Sequence, residues 1–92
     1  MKSVTTIHTD QAKRIAKRLL NHWKHKFEVA ETEQQFSIFM PDATVILSAQ
    51  VDALDVHLDT ERDDFTFLEK VVIDHLNRMA QQEFDVQWTH QA

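Results

Sequence analysis

The sequence predicts an α+β fold in which two helices pack on one face of an antiparallel four- to five-stranded sheet, in the order (β)αββββαβ. Two apolar stripes with helical spacing lie towards the ends of the chain, and four runs with a period of two lie between them. Consecutive strands between two helices are typical of antiparallel sheets, whereas parallel sheets alternate strand and helix. A length of 92 residues suits a single domain, residues 1–92, with one hydrophobic core.

The first predicted elements are a short strand and an amphipathic helix. Val4–His8 is rich in β-branched residues, which favour strands. Thr9 and Asp10 are both residue types that cap helices, and the helix is expected to run from about Asp10 to Trp23. Its apolar side chains are three or four residues apart: Ala12, Ile15, Ala16, Leu19 and Trp23. Its other side is basic: Lys13, Arg14, Lys17 and Arg18.

The middle of the chain alternates apolar and polar residues, which predicts an antiparallel meander of four strands. The apolar positions of the four runs are Phe27 and Val29; Phe36, Ile38 and Met40; Val45 and Leu47; and Leu54, Val56 and Leu58. Polar breaks at residues 31–34, 41–42 and 50–52 separate these runs. Pro41-Asp42 is the strongest turn signal among them.

A second helix and a last strand complete the predicted fold. From Asp63 to about Gln82 the apolar period returns to 3.6, with a stripe made of Phe65, Leu68, Val71, Val72, His75, Leu76 and Met79. After the helix, Phe84, Val86 and Trp88 alternate with polar residues and predict an edge strand. An unpaired edge can pair with another chain, so this strand is one predicted site of protein association.

The composition excludes several kinds of chemistry. The chain has no cysteine, which excludes disulfides, thiolate metal sites and cysteine nucleophiles. It has no glycine, which excludes the P-loop, the dinucleotide-binding loop, the EF-hand loop and the nucleophile elbow. No nucleophile stands beside a placed base in the sequence, so a binding or accessory role is expected rather than an enzyme, with no catalytic residue.

The charge is unevenly distributed along the chain. Met1–Lys26 carries seven Lys or Arg and one acid, a sum of +6, and the rest carries three and fourteen, a sum of −11. The basic side of the first helix could seat an anion or be only a solvated face, and a pI of about 5.6 disfavours nucleic acid. With neither an apolar leader nor a run long enough to cross a membrane, a cytoplasmic location is expected.

Histidines provide the predicted site. His22 and His75 lie on or beside the apolar stripes of the two helices, so the two rings can approach if both helices cover one sheet face. His25 follows three residues after His22, and Lys26 and Arg78 lie nearby. These five residues form a predicted ligand site, and the three histidines a predicted metal site. The alternative is that His22 and His75 are core residues with satisfied hydrogen bonds.

Three segments resemble a bacterial family of unknown function, domain of unknown function 2218. Asn21–Val29 is similar to its K-H-[aromatic]-x-H-K-[apolar]-x-V segment, and Leu54–Leu58 to its D-x-L-x-V-x-L strand. Leu68–Arg78 is similar to its L-E-x-V-V-x-x-H-L-x-R helix, and Trp88 falls at its strand tryptophan. The chain departs from the family at residues 33–35, where relatives commonly have glycine, and at Met79, where they tend to have Phe.

The resemblance implies that the predicted site coincides with polar positions shared by the family: His22, His25, Lys26, His75 and Arg78. It names no cofactor, because the family has no established activity. Some relatives are associated with siderophore-interacting flavin reductases, which implies a role in iron or siderophore metabolism and a reductase as partner. The alternative function is a protein-interaction module without a small-molecule site: either a homo-oligomer, such as a homodimer, or a partner of a reductase.

Overall fold

The structure, a computed structural model, describes residues 1–91 and has six strands and two helices in the order βαββββαβ. The α+β class is confirmed, but the sheet has six strands instead of four or five. The elements are β1 (Lys2–His8), α1 (Ala12–Trp23), β2 (Glu28–Glu31), β3 (Gln35–Met40), β4 (Ala43–Ala49), β5 (Ala53–Thr60), α2 (Phe65–Ala80) and β6 (Thr89–Gln91). Neither helix within residues 1–91 is long and apolar enough to cross a membrane.

The sheet is antiparallel throughout, with the strand order β2-β3-β4-β5-β1-β6. The four central runs form the predicted meander, and Pro41-Asp42 makes the tight β3–β4 turn. The first strand returns to pair with β5, with Val4 opposite His57, and the last strand joins the far side of β1. The two ends of the chain therefore form one side of the sheet.

Both helices pack on one face of this sheet and enclose a single core. The alternation is complete in β4, where Val45 and Leu47 are fully buried and their neighbours Thr44 and Ile46 are partly exposed. Both helices contribute to the same core cluster, α1 through residues such as Leu19 and α2 through residues such as Leu76. The opposite face of the sheet has no helix on it and is called the open face below.

The predicted last strand at residues 84–88 is wrong in position. Residues 83–88 have no regular secondary structure, and the strand is formed instead by Thr89–Gln91. Side chains satisfy the backbone of this segment in place of a strand ladder: the Phe84 N–H donates to Asn77 Oδ1 at 3.0 Å, and Thr5 Oγ1 donates to the Gln87 carbonyl at 2.9 Å. Phe84, Val86 and Trp88 pack half-buried against the core, so the alternation reflects packing and not pairing.

The two outer strands discourage pairing with another chain. At one edge, β2 has only four residues, two of them Glu28 and Glu31, and Glu31 is held by Lys17 of α1 at 2.6 Å. At the other edge, β6 has three residues. Short, charged edges are poor templates for strand addition. The observation that motivated strand-edge association, an exposed strand at residues 84–88, is therefore absent from the described chain.

Helix α2 ends without the glycine that such ends usually have. Gln81 follows the helix with φ of 56° and ψ of 41°, the left-handed region where a Cβ atom is disfavoured. The Gln81 N–H donates to the Arg78 carbonyl and the Gln82 N–H donates to the Asn77 carbonyl, at 3.3 and 3.1 Å. These bonds satisfy the last carbonyls of the helix and offset the unfavourable conformation in a chain without glycine.

Candidate functional site

A cleft of about 270 Å³ opens between the carboxyl end of α1, the β3–β4 turn and the amino-terminal half of α2. We call it the helix-end cleft. Its lining residues are Trp23, Lys26, Phe27, Met40, Pro41, Asp42, Ala43, Arg62, Phe67, Leu68, Val71 and His75. The apolar stripes of both helices contribute to its wall, α1 through Trp23 and α2 through Leu68, Val71 and His75.

Aromatic rings form much of the cleft wall. Trp23 is 5% exposed, and its ring centroid lies 4.9 Å from that of His75 and 6.1 Å from that of Phe27. The Trp23 and Phe27 rings meet edge to face, an arrangement that aromatic quadrupoles favour. Phe67 also lines the cleft but is 59% exposed, an unusual position for a large apolar side chain.

His75 is oriented by one hydrogen bond to its own helix. Its Nδ1 lies 2.7 Å from the Val71 carbonyl oxygen, and since a carbonyl can only accept, Nδ1 carries the hydrogen. In the neutral ring, Nε2 is therefore an acceptor, and in the charged ring it is a second donor. His75 is thus half-buried and hydrogen-bonded, as the core interpretation expects, yet it lines the cleft, as the ligand-site interpretation expects.

The structure brings together some of the predicted site residues and separates others. The His22 and His75 ring centroids lie 5.6 Å apart, and Lys26 and His75 both line the cleft. His22 is exposed, so it is not a core residue. His25 is exposed and is not part of the cleft wall. Arg78 is exposed and lines a separate shallow depression further along α2.

The three predicted metal-ligating histidines do not form a ready coordination site. Within residues 1–91, no group of three or more His, Asp or Glu side chains is placed to hold a metal ion. His22 and His75 approach each other as rings tilted by 46°, and His25 follows the end of α1 at Trp23. The His75 ring contacts Trp23 in the aromatic wall of the cleft, and the exposed His22 ring lies beside it.

Sequence reasoning missed the side of the cleft that faces α1. Met40 to Ala43 form the β3–β4 turn, Arg62 precedes α2, and Phe67 lies outside the predicted apolar stripe of α2. In the sequence, only Phe67 pointed to this side of the cleft, because it is a large aromatic residue that does not lie on the buried face of α2. Arg62 carried no signal, because its place beside the cleft depends on how the β5–α2 connection folds back.

Arg62 is held by a neighbouring carboxylate. Its Nε and Nη2 donate to the two Asp64 carboxylate oxygens at 2.8 and 2.6 Å. This hydrogen bond holds the pKa of Asp64 below its ordinary value and raises the pKa of Arg62, to which the charge of Asp42 also contributes. Because the Asp64 pKa is lowered, the contact is complete at neutral pH and is lost only as the pH falls through that lowered value.

Lys26 is the cation of the cleft wall without a carboxylate partner. It takes part in none of the four ion pairs seen among residues 1–91. Its Nζ lies 5.5 Å from the centroid of the Phe27 ring, within the range of a cation–π contact. The ammonium group therefore stands at the border between the aromatic wall and solvent.

A second buried polar contact lies away from the cleft and was also missed. Glu69 of α2 is 6% exposed and contacts His90 Nε2 of β6 at 2.6 Å. The Phe65 and His90 rings meet at 5.2 Å. These contacts attach the last strand to α2 and give His90 a structural role.

The basic side of α1 is partly engaged within the chain. Lys17 contacts both Glu31 oxygens, at 2.6 and 2.7 Å, and Arg18 donates to the Met79 carbonyl at 3.0 Å. These two contacts hold α1 to β2 and to the end of α2. They support the interpretation of this side as a solvated face that complements the acidic remainder of the chain.

The fold and the cleft define a small α+β protein with an open-faced sheet and an aromatic cleft at the helix ends. The chain belongs to the bacterial family described as "Uncharacterized protein conserved in bacteria" (DUF2218), which matches residues 4–89 and confirms the resemblance. It is similar to PA4090 from Pseudomonas aeruginosa, an NMR structure, with 34% identity, a TM-score of 0.81, and coverage of 96% of this chain and 94% of that one. The comparison with curated proteins found no match.

Proposed function

We propose that this chain is a binding module that takes a small organic molecule in the helix-end cleft. The observation that carries the proposal is the cleft wall itself, in which Trp23, Phe27 and His75 pack together and Phe67 stands largely exposed at the opening. Small-molecule sites are mostly apolar concave surfaces with a few polar groups that orient the ligand. Lys26 and His75, together with Asp42 and Arg62 on the wall, supply polar groups of this kind.

The size of the cleft sets the size of the ligand. A closed apolar cavity of about 150 Å³ accommodates benzene. The helix-end cleft, at about 270 Å³ and open on one side, has room for one or two rings. A planar ring is favoured over a flexible chain, because it can lie against Trp23 and Phe67 with little loss of conformational freedom.

The sequence also led to functional predictions that the cleft does not address. A role in iron or siderophore metabolism, a flavin reductase as partner, a cytoplasmic location and a metal held by the three histidines stay predictions. So does the alternative of a protein-interaction module or homodimer. A binding function needs no catalytic residue, and none is assigned.

Tryptophan fluorescence can test the proposal directly, because the chain has two tryptophans and only Trp23 lines the cleft. In the Trp88→Phe variant, Trp23 is the single reporter. We expect benzamide, benzoate or benzamidine to change its emission with a saturable curve at concentrations up to about 10 mM, equivalent to a few kcal/mol of binding. The change arises because a bound ring lies against the indole.

The Trp23→Phe variant, with Trp88 as its single reporter, is the matched control. It should show no saturable change, since Trp88 lies outside the cleft wall. Light scattering after size-exclusion chromatography, with and without the compound, shows whether the signal comes from association of two copies instead. If none of the three compounds gives a saturable curve in the Trp88→Phe protein, the proposed function is wrong.

A further inference from the structure

We infer that the helix-end cleft selects small aromatic monocarboxylates, with the ring against Trp23 and Phe67 and the carboxylate at Lys26. The inference rests on the proposed function and adds the charge of the ligand to it. It follows from how the three charged side chains of the cleft wall are partnered: Lys26, Arg62 and Asp42. Their formal sum is +1.

Arg62 has one of its hydrogen-bonding edges occupied and its charge partly offset by a neighbouring carboxylate. Asp64, outside the cleft wall, takes up its Nε and Nη2 in a two-pronged contact. Asp42 also lies close enough for its charge to act on Arg62. Arg62 is thus paired with Asp64 and lies within the field of Asp42, so its positive charge is partly offset on this side of the cleft.

Lys26 lies just beyond the end of α1 and pairs with no carboxylate among residues 1–91. Its Nζ stands 5.5 Å from the Phe27 ring centroid, so the ammonium lies beside the surface that a bound ring would cover. Lys24 precedes it and adds positive charge without lining the cleft. An anion on a ring held by the aromatic wall would therefore meet one free ammonium group.

A ligand with one carboxylate matches the charges of the cleft wall better than a ligand with two or more. The wall offers one unpaired cation, and a second negative group would face Asp42. An aromatic body is needed because the rest of the lining is apolar, including Leu68, Val71 and Met40. His75 Nε2 supplies a further polar contact, accepting a hydrogen bond in the neutral ring from a hydroxyl or amine on the ligand.

Three compounds of the same size and shape but different charge test the inference on the full chain. They are benzoate, benzamide and benzamidine, and their dissociation constants can be measured by NMR titration. We expect benzoate to bind about 5-fold to 10-fold more tightly than benzamide, the size of a partly exposed charge-assisted contact. Benzamidine should bind more weakly than benzamide, since its cation faces Lys26.

Substitution of Lys26 assigns the preference to one residue. In Lys26→Gln, benzoate should lose its advantage and bind about as well as benzamide, whose affinity stays unchanged. Lys24→Gln is the matched control, an exposed lysine two residues away that does not line the cleft, and it should keep the preference. Both positions are exposed, so neither variant should lose the fold, which circular dichroism can check.

The outcomes separate this inference from the proposed function. Equal affinities for all three compounds, or a preference for benzamidine, would overturn the anion selectivity while leaving the binding function in place. Equal losses in Lys26→Gln and Lys24→Gln would also overturn it, because they would show a general effect of positive charge and no contact at Lys26. Absence of binding by all three compounds would remove both the inference and the proposed function.

Discussion

Replacement of Phe36 by alanine is expected to lower the free energy of unfolding by about 3–5 kcal/mol, the range for loss of a buried aromatic side chain. Phe36 lies in β3 on the helix-covered face of the sheet and is fully buried. Its ring is one of the largest side chains in the core. Since small domains are stable by about 5–15 kcal/mol in total, this loss should bring the protein close to unfolding.

Phe39, three residues later in the same strand, is the matched control. It lies on the open face and is 43% exposed, so Phe39→Ala should cost less than about 1 kcal/mol. Urea unfolding followed by circular dichroism measures both variants. Similar losses for Phe36→Ala and Phe39→Ala would contradict a sheet covered by helices on one face only.

The second large effect is expected at Trp23. Its side chain is 5% exposed and contacts both Phe27 and His75, so Trp23→Ala should lower the free energy of unfolding by about 3–5 kcal/mol. The same substitution removes part of the cleft wall, so binding of benzoate should be lost as well. Stability and binding are coupled at this residue because the end of α1 belongs to both the core and the cleft.

Trp88 provides the comparison for this prediction. It packs half-buried against the core in the irregular segment at residues 83–88, away from the cleft. Trp88→Ala should cost about 1–2 kcal/mol, in proportion to its smaller buried area, and should leave benzoate binding unchanged. The prediction fails if the two variants lose equal stability, or if benzoate binding survives in a folded Trp23→Ala protein.

The parts of the fold that sequence could predict are those with a regular burial pattern. Each strand of the meander has one face in the core and one outside it, so its period of two is visible in the sequence. The last strand was misplaced because Phe84, Val86 and Trp88 are half-buried through packing alone, whereas Thr89–Gln91 pairs with β1 and is exposed. A three-residue strand without buried side chains leaves no hydrophobic pattern to detect.

The site was predictable only where it lies on the helix stripes. His75 was found because it continues the apolar stripe of α2, and Lys26 was included because it closely follows His22 and His25 in the sequence. His25 was grouped with His22 because it follows three residues later, but it lies beyond the end of α1 at Trp23 and outside the cleft wall. Arg78 lies almost one turn beyond His75, further from the cleft along α2.

The turn side of the cleft could not be inferred, because it depends on contacts between distant parts of the chain. Arg62 and the turn at Pro41-Asp42 are about twenty residues apart and meet only after β4 pairs with β5, with Ala43 opposite Thr60. A hydrogen bond from Thr60 Oγ1 to the Asp42 carbonyl at 2.7 Å fixes the two segments together. A contact between two segments so far apart in the chain leaves no periodic pattern in the sequence of either one.

The central claim, that this chain binds a small aromatic molecule in the helix-end cleft, is tested most directly by mapping benzoate on the protein with ¹H–¹⁵N correlation spectra. We predict saturable shift changes that are largest at the Trp23 indole N–H and at the backbone amides of Lys26 and Phe67. Amides of the open face, such as those of Phe39 and Ile46, should stay unchanged. Changes centred on the open face, or no saturable change anywhere, would contradict the claim.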